Sequence, residues 1–378
     1  MSRKSRKVGL AKINVARATG IMAAGTAVSR VLGFIRAALL IAIIGEVGAN
    51  DAFQAANTLP NTVYNLIASS VLSAVLVPQI VRALSKGGDE AEEYINRLLT
   101  FFTVGLALIT VVAVAAAPFL VKLYAYKFAH DWYKIAVAFA FWCLPQVFFY
   151  GMYALWGQLL NAMGKFGPYM WSPVVNNVVG ISGMGVFLWV MGDKDWATDP
   201  SLWSSKAIAL LGGITTLGIV AQALILLPPL YRTGFRLRPV WGFRGHGLGQ
   251  VSKTAFWAFA ALMAGQGSYL VVSNVAAAGN GVAAKTGEFV ASTTAYNTAF
   301  MIYQIPIALV VVSLITALFT KMSQMMATGD LAGARRTYNQ TIIGIGSVTV
   351  FCAAALAMAA VPVMQVIMPR FDAAAISG

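Results

Sequence analysis

Long apolar runs, broken by short polar stretches, dominate the chain, and neither strand-like alternation nor a one-faced helical stripe replaces them. Nine runs stand out, near Gly20–Gly45, Ala52–Leu84, Leu98–Tyr124, Trp132–Met163, Pro168–Met191, Lys206–Tyr231, Thr254–Ala277, Val290–Met325 and Ile342–Met368. Each is long enough, at about 1.5 Å of rise per helical residue, to cross a hydrocarbon core of roughly 30 Å. The pattern therefore predicts nine membrane-spanning helices. The first two and the eighth exceed a simple crossing and predict tilted or bent helices, with Pro60, Pro78 and Pro306 as the kink points because each removes a backbone donor.

Composition agrees with this map. With 59% hydrophobic residues, 11% charged and a mean hydropathy of +0.74, the chain falls in the polytopic membrane class and is expected to be all-α. The formal net charge of +14 would suggest nucleic acid in a soluble protein. Here its distribution says otherwise. With the basic tail placed in the cytoplasm, the segments on that side carry eighteen Lys and Arg and the opposite side seven, as the positive-inside rule requires. The charge thus reads as membrane topology, and no nucleic-acid partner is expected. The Met1–Lys7 basic segment resembles the start of a signal peptide, but the apolar run behind it is too long and carries arginines, so it is expected to stay as a first span.

The most basic connection, Tyr231–Lys253, holds Arg232, Arg236, Arg238, Arg244 and His246, and either fixes orientation or docks anionic headgroups. It divides the chain into a cytoplasmic tail at 1–19, an N-terminal lobe of six spans at 20–231, a linker at 232–253 and a partial C-terminal lobe of three spans at 254–378. A tandem repeat supports the division. Leu59-Pro60, Gly88-Asp89, Tyr94 and Pro118 recur as Ile305-Pro306, Gly329-Asp330, Tyr338 and Pro362, at offsets of 241 to 246 residues. Both copies begin on the same side, so the two lobes are expected to be parallel repeats around a central cavity, the second incomplete.

Two arginines give the first span its chemistry. Arg30 and Arg36 lie inside the run from Gly20 to Gly45, where a charge at the bilayer centre costs about 2.5–3.5 kcal/mol on insertion scales. A helix keeps such groups only where they face protein, water or an anion. Six residues apart, they differ by about 9 Å of rise and roughly 120° of rotation, so their long arms converge on one cavity without sharing one stripe. Guanidinium suits phosphate because its planar fork donates two hydrogen bonds and never deprotonates. The alternative is a structural contact with helix-end carbonyls or an acid. Asp51, at the outer start of the second span with Glu46 nearby, is either a gate-closing partner of Arg36 or an N-terminal helix charge.

Other chemistry is sparse. His130 and His246 fall in loops on opposite sides, without a His/Cys/carboxylate cluster or phosphate loop beside them, so neither an enzyme, a metal site nor a cofactor is expected. Cys143 and Cys352 lie in apolar runs and read as packing or lipid-facing residues. Polar residues inside spans are more informative: Asn61, Thr62, Tyr64, Asn65 and three serines in the second, Asn176 and Asn177 in the fifth, Gln266 to Asn274 in the seventh, and Tyr296 to Gln304 in the eighth. Each alone suits an interhelical hydrogen bond; together they suit a shared cavity.

Ser29-Arg30-Val31-Leu32-Gly33-Phe34-Ile35-Arg36, followed by Asp51-Ala52-Phe53, Leu59-Pro60-Asn61 and Val77-Pro78, resembles the MurJ/MviN family of lipid II flippases. Leu160 to Gly167, with Pro173 and Asn176-Asn177, is similar to that family's connection between spans four and five. The family belongs to the multidrug/oligosaccharidyl-lipid/polysaccharide exporter superfamily, whose two lobes alternate access about a central cavity. The resemblance implies that Arg30 and Arg36 hold the lipid II pyrophosphate, with Ser29 and Asp51 at neighbouring motif positions. Asn61, Tyr64 and Asn65 complete the candidate set. Tyr64 and Asn65 stand where many members have an arginine, which implies a less positive cavity.

The resemblance further implies a bacterial inner-membrane protein that moves lipid-linked peptidoglycan precursor outward for cell-wall synthesis. Its expected partners are lipid II, membrane lipids and cell-wall synthesis proteins. The resemblance implies about fourteen spans, against nine read here. The alternatives are a flippase for another polyprenyl-linked oligosaccharide, a multidrug antiporter, or a non-transporting scaffold in cell-wall assembly. An exporter of cations would call for a cavity acid rather than two arginines.

Overall fold

The computed structural model describes residues 15–65, 79–80, 83–84, 88–125, 127–242, 265, 267–279, 282, 285–286, 290, 293–306 and 330–367. Among them every regular element is a helix: α1 Val15–Ile44, α2 Ala49–Tyr64, α3 Asp89–Ala115, α4 Ala117–Ala125, α5 His130–Cys143, α6 Gln146–Ala162, α7 Phe166–Met191, a short 3-10 turn Pro200–Leu202, α8 Ser205–Leu224, α9 Leu227–Arg232, α10 Thr293–Pro306 and α11 Leu331–Ile367. Six stretches of the described residues are long and apolar enough to cross a membrane: Ala24–Ile44, Asp89–Ala115, His130–Ala162, Phe166–Met191, Ser205–Arg232 and Arg335–Ala360. These answer to the first, third, fourth, fifth, sixth and ninth expected spans. The second, seventh and eighth lie partly outside the described residues.

Several runs that read as single spans are broken helices. The third continues from α3 into α4 across Ala116, just before Pro118, and the fourth breaks at Leu144–Pro145 between α5 and α6. Proline explains both breaks, since it has no N–H to give the preceding turn and its ring crowds that turn's carbonyl. In α7 the helix instead continues through Pro173. The carbonyl that Pro173 leaves unpaired belongs to Tyr169, four residues earlier. The Ser172 hydroxyl donates to it at 2.9 Å and the Tyr153 hydroxyl, from α6, at 3.3 Å. Neighbouring side chains thus replace the lost backbone donor, the usual condition for proline inside a span.

The chain divides into two compact units, Met1–Thr293 and Thr294–Gly378. In the first, α1 packs on α7, α7 on α8, α2 on α5, and α3 on α6. One buried cluster joins the ends of α1, α2, α5 and α8, with Trp196 and Trp203 between them; a second joins α3, α6, α9 and Phe235. The first is closed by an aromatic box. Trp203 stands edge-on to Trp196 at 5.2 Å and to Phe139 at 5.3 Å, and its indole N–H donates to the Trp196 carbonyl at 2.9 Å. Such ring pairs contribute about 0.5–1.5 kcal/mol each beyond area burial.

The α1–α2 turn fits against this box only because of two glycines. Gly45 and Gly48 hold φ of 77° and 68°, and a Cβ on Gly48 would lie 2.5 Å from the Ala197 carbonyl and 2.7 Å from the Trp132 ring. Residues 267–279, also helical, dock on α4: Ser273 Oγ donates to the Tyr124 carbonyl at 3.2 Å and Asn274 Nδ2 to the Leu123 carbonyl at 2.8 Å.

Beyond α9 the chain runs along α3, held by alternate residues. The Arg236 N–H donates to Glu92 Oε1 at 3.0 Å, the Arg238 N–H to Asn96 Oδ1 at 3.0 Å, and the Val240 N–H to Thr100 Oγ1 at 3.0 Å. Asn96 Nδ2 returns a bond to the Arg236 carbonyl at 2.9 Å. The register is geometric: two extended residues advance about 6.6 Å and one helical step of four about 6.0 Å, so every second N–H meets every fourth helix side chain.

In the second unit, α11 is one 37-residue helix with Pro362 inside it. It begins after Asp330, whose Oδ1 accepts from the Gly333 N–H at 2.8 Å. Its start at Leu331 lies 242 residues after the start of α3 at Asp89.

Candidate functional site

The arginine-bearing helix α1 meets α7 at the two asparagines that follow Pro173. Asn177 Nδ2 donates to the Ser29 carbonyl at 2.8 Å and lies 3.4 Å from the Ser29 hydroxyl. About two turns along α1, Arg36 Nη1 donates to Asn176 Oδ1 at 3.3 Å. Adjacent residues on α7 thus bind residues seven apart on α1, which fixes both the register of the two helices and the direction of the Arg36 arm.

Small residues make room for that arm. A Cβ built on Gly180 would lie 2.6 Å from Arg36 Cδ, so the guanidinium stem lies directly across the α7 backbone. Gly218 on α8 leaves the same kind of space for the Asn176 side chain. Glycine at span interfaces commonly serves close approach, and here it admits one charged side chain.

One tyrosine stands near the guanidinium and a second packs behind it. Tyr150 on α6 is within electrostatic reach of Arg36, and its ring tilts against Tyr64 on α2, with centroids 6.2 Å apart. The structure therefore brings Ser29, Arg36 and Tyr64 of the sequence-predicted set into one neighbourhood, joined by Asn176, Asn177, Tyr150 and Gly180. Asn176 and Asn177 stood out as polar residues in an apolar run, whereas Tyr150 and Gly180 gave no such signal because tyrosine and glycine are common within spans.

The other candidates lie differently. Arg30 is exposed, and among the described residues its side chain makes no hydrogen bond or ion pair. Asn61 and Asn65 bond to each other, Asn65 Nδ2 donating to Asn61 Oδ1 one turn apart at the end of α2. Asp51 is fully buried in the first turn of α2, which is the position of an N-terminal helix charge. Its neighbour Glu46, in the α1–α2 turn, is also buried, and burial together with the Asp51 charge pushes its carboxyl up to about 7. His130 is an exposed helix start, His246 lies outside the described residues, and no group of His, Cys, Asp and Glu able to hold a metal occurs among the described residues.

Chemically, the arrangement presents one positive charge and its hydrogen-bond donors inside a span. A guanidinium carries five donors in a fixed plane, and the long contact to Asn176 orients it while occupying one. An oxyanion placed against it would meet a preorganised charge among tyrosine hydroxyls and amides.

Comparison with known proteins gives this geometry a family. "Probable lipid II flippase MurJ" of Haemophilus influenzae is 28% identical over 238 residues, 60% of this chain and 44% of the relative. The protein of the same name in Rhizobium meliloti is 26% identical over 351 residues, 90% of this chain and 61% of its own length. The chain thus spans about half the length of the curated relatives it matches. In fold, it is similar to a solved structure described as "Lipid II flippase MurJ, inward closed conformation", with a TM-score of 0.64 at 17% identity, covering 94% of this chain and 69% of that one. The family model described as "Lipid II flippase MurJ" matches residues 40–376, and the chain, a helical multi-pass membrane protein, belongs to that family.

Proposed function

We propose that this chain carries the first lobe and part of the second of a transporter that moves lipid II from the inner to the outer leaflet of the bacterial plasma membrane. In this reading residues 20–231 form the N-terminal lobe, 232–253 the linker and 254–378 the beginning of the C-terminal lobe, with the amino terminus in the cytoplasm. The observation that carries the proposal is Arg36: a guanidinium inside a span, oriented by Asn176 and admitted by Gly180.

A pyrophosphate is the chemistry that such a site favours. Its oxygens accept the parallel donors of a guanidinium, and a charge-assisted pair is about twice as strong as a neutral hydrogen bond. Arg30, exposed and unpaired among the described residues, supplies a second cation about 9 Å along the helix. Ser29, Asp51, Asn61, Tyr64 and Asn65 remain the proposed surroundings of the headgroup, while the polyprenyl tail stays in lipid. Alternating access then carries the anion across as the lobes rock, and the membrane potential favours return of the empty, positively charged site, since each charge crossing is worth about 2.3 kcal/mol per 100 mV.

The test is complementation of a conditional lipid II flippase depletion. The arms are this chain, a version extended by any downstream reading frame, and Arg30→Ala and Arg36→Ala in whichever is active, all at equal membrane abundance. Rescue lost with the arginines supports transport and site together. Rescue that survives both substitutions refutes the site, and no rescue from a complete, well-expressed chain refutes the substrate.

A further inference from the structure

A groove of 310 Å³ opens between α3, α6 and the segment that follows α9. It is lined by none of the residues of the arginine site. Leu99, Met152 and Trp156 form an apolar wall; Pro239, Arg238 and Trp241 form the rim. Its volume is at the small end of the roughly 300–1,000 Å³ typical of ligand sites. We propose that this groove binds one acyl chain of an anionic glycerophospholipid, with the lipid phosphate at Arg238.

Three features favour that occupant. The first is depth. The groove runs along α3 from Asn96 to Val104, where the helix passes from its acidic first turn, Asp89 to Glu92, into its apolar length. A ligand here sits with one end in hydrocarbon and the other at the headgroup level. The second is the rim. Trp241 is 66% exposed and Arg238 is exposed, the residue types that sit at a membrane interface and attract anionic lipid.

The third is charge. Among the described residues Arg238 has no ion-pair partner; Glu92 on α3 accepts from the N–H of Arg236 in the strap that follows α9, and the Arg236 guanidinium lies over the Tyr231 ring at 5.9 Å. A phosphate is what complements the remaining cation above an apolar slot. The backbone bonds to Glu92, Asn96 and Thr100 hold the rim at its distance from the wall, so the groove is preformed. A lipid seated there would pin the strap to α3 through contacts on both, independently of what the chain carries across the membrane.

Native mass spectrometry of the purified full chain tests this with phosphatidylglycerol and phosphatidylethanolamine of identical acyl chains. The wild type is expected to retain the anionic lipid about fivefold better, the equivalent of about 1 kcal/mol for one basic residue near a headgroup. Arg238→Gln removes that preference, Arg238→Lys keeps most of it, and Val104→Trp, which fills the groove from its exposed side, lowers retention of both lipids. Millimolar inorganic phosphate leaves the bound lipid in place. Equal retention of phosphatidylglycerol by wild type and Arg238→Gln overturns the headgroup assignment. Unchanged retention in a well-folded Val104→Trp overturns the acyl site, and displacement by phosphate alone shows an anion site rather than a lipid site.

Discussion

Asn177 on α7 donates to the backbone carbonyl of Ser29 on α1 at 2.8 Å, immediately beside the first arginine of the span. A helix carbonyl has a second lone pair, so this bond is made without cost to α1 itself. Asn177→Ala is expected to loosen α1 from α7 and lower stability by about 0.6–1.7 kcal/mol, the range of single polar contacts between spans. Unfolding of the purified chain in bicelles measures it. Asn177→Ala with wild-type stability would mean that apolar packing alone sets this register.

Gly180 is the tighter constraint. A methyl group there meets Arg36 Cδ at 2.6 Å and must push the arm away from Asn176. Under the proposed flippase reading, Gly180→Ala is expected to reduce rescue of the depleted strain about tenfold, roughly the 1.4 kcal/mol of one displaced hydrogen bond. Gly185→Ala is the control on the same helix, since nothing lies within 4 Å of its added Cβ. Equal activity of the two variants would show that the arm position does not matter to transport.

What the sequence made legible follows from what apolar patterning encodes. The run from Pro168 to Met191 became α7 at Phe166–Met191 because span length is set by the hydrocarbon core and its ends by polar residues. The candidate residues Ser29, Arg36 and Tyr64 were visible because polar groups are costly in lipid. Their partners were not. Arg36 and Asn176 are 140 residues apart, and no local rule links one helix's charge to another's amide. Tyr150 and Gly180 stayed hidden for a different reason, since their significance is space and proximity rather than polarity. The linker read only as a basic loop, because its bonds to α3 use backbone N–H groups that every residue but proline owns.

Those bonds give a third prediction. Asn96, buried at 3% exposure, satisfies both the Arg236 carbonyl and the Arg238 N–H. Asn96→Leu removes both partners at once and leaves the two backbone groups to seek water. About 1 kcal/mol per bond predicts roughly 2 kcal/mol of local loosening and a correspondingly faster proteolytic cut between Arg236 and Val240. Trypsin is suitable because Arg236 is exposed and followed by Leu237, whereas Arg238 precedes Pro239 and resists the enzyme. Unchanged cleavage would show that the strap is held by Phe235 and Leu237 packing instead.

The last prediction concerns Glu46, which is buried in the α1–α2 turn near the charge of Asp51. Its carboxyl is raised from 4.5 to about 7, so the folded chain holds this proton more tightly than the unfolded chain does. The linkage sign follows. Where the folded state binds more protons, stability falls as pH rises, so the contribution is complete below about 4.5 and is lost as pH passes through about 7. Glu46→Gln keeps the shape of the protonated acid and removes the titration. The thermal midpoint of wild type is therefore expected to fall relative to Glu46→Gln between these two values, and to run parallel to it below them. Parallel curves across the whole range would mean that Glu46 ionises at the same pH in the folded and unfolded chains, which requires a neighbouring cation or hydrogen-bond donors that just offset the cost of burial.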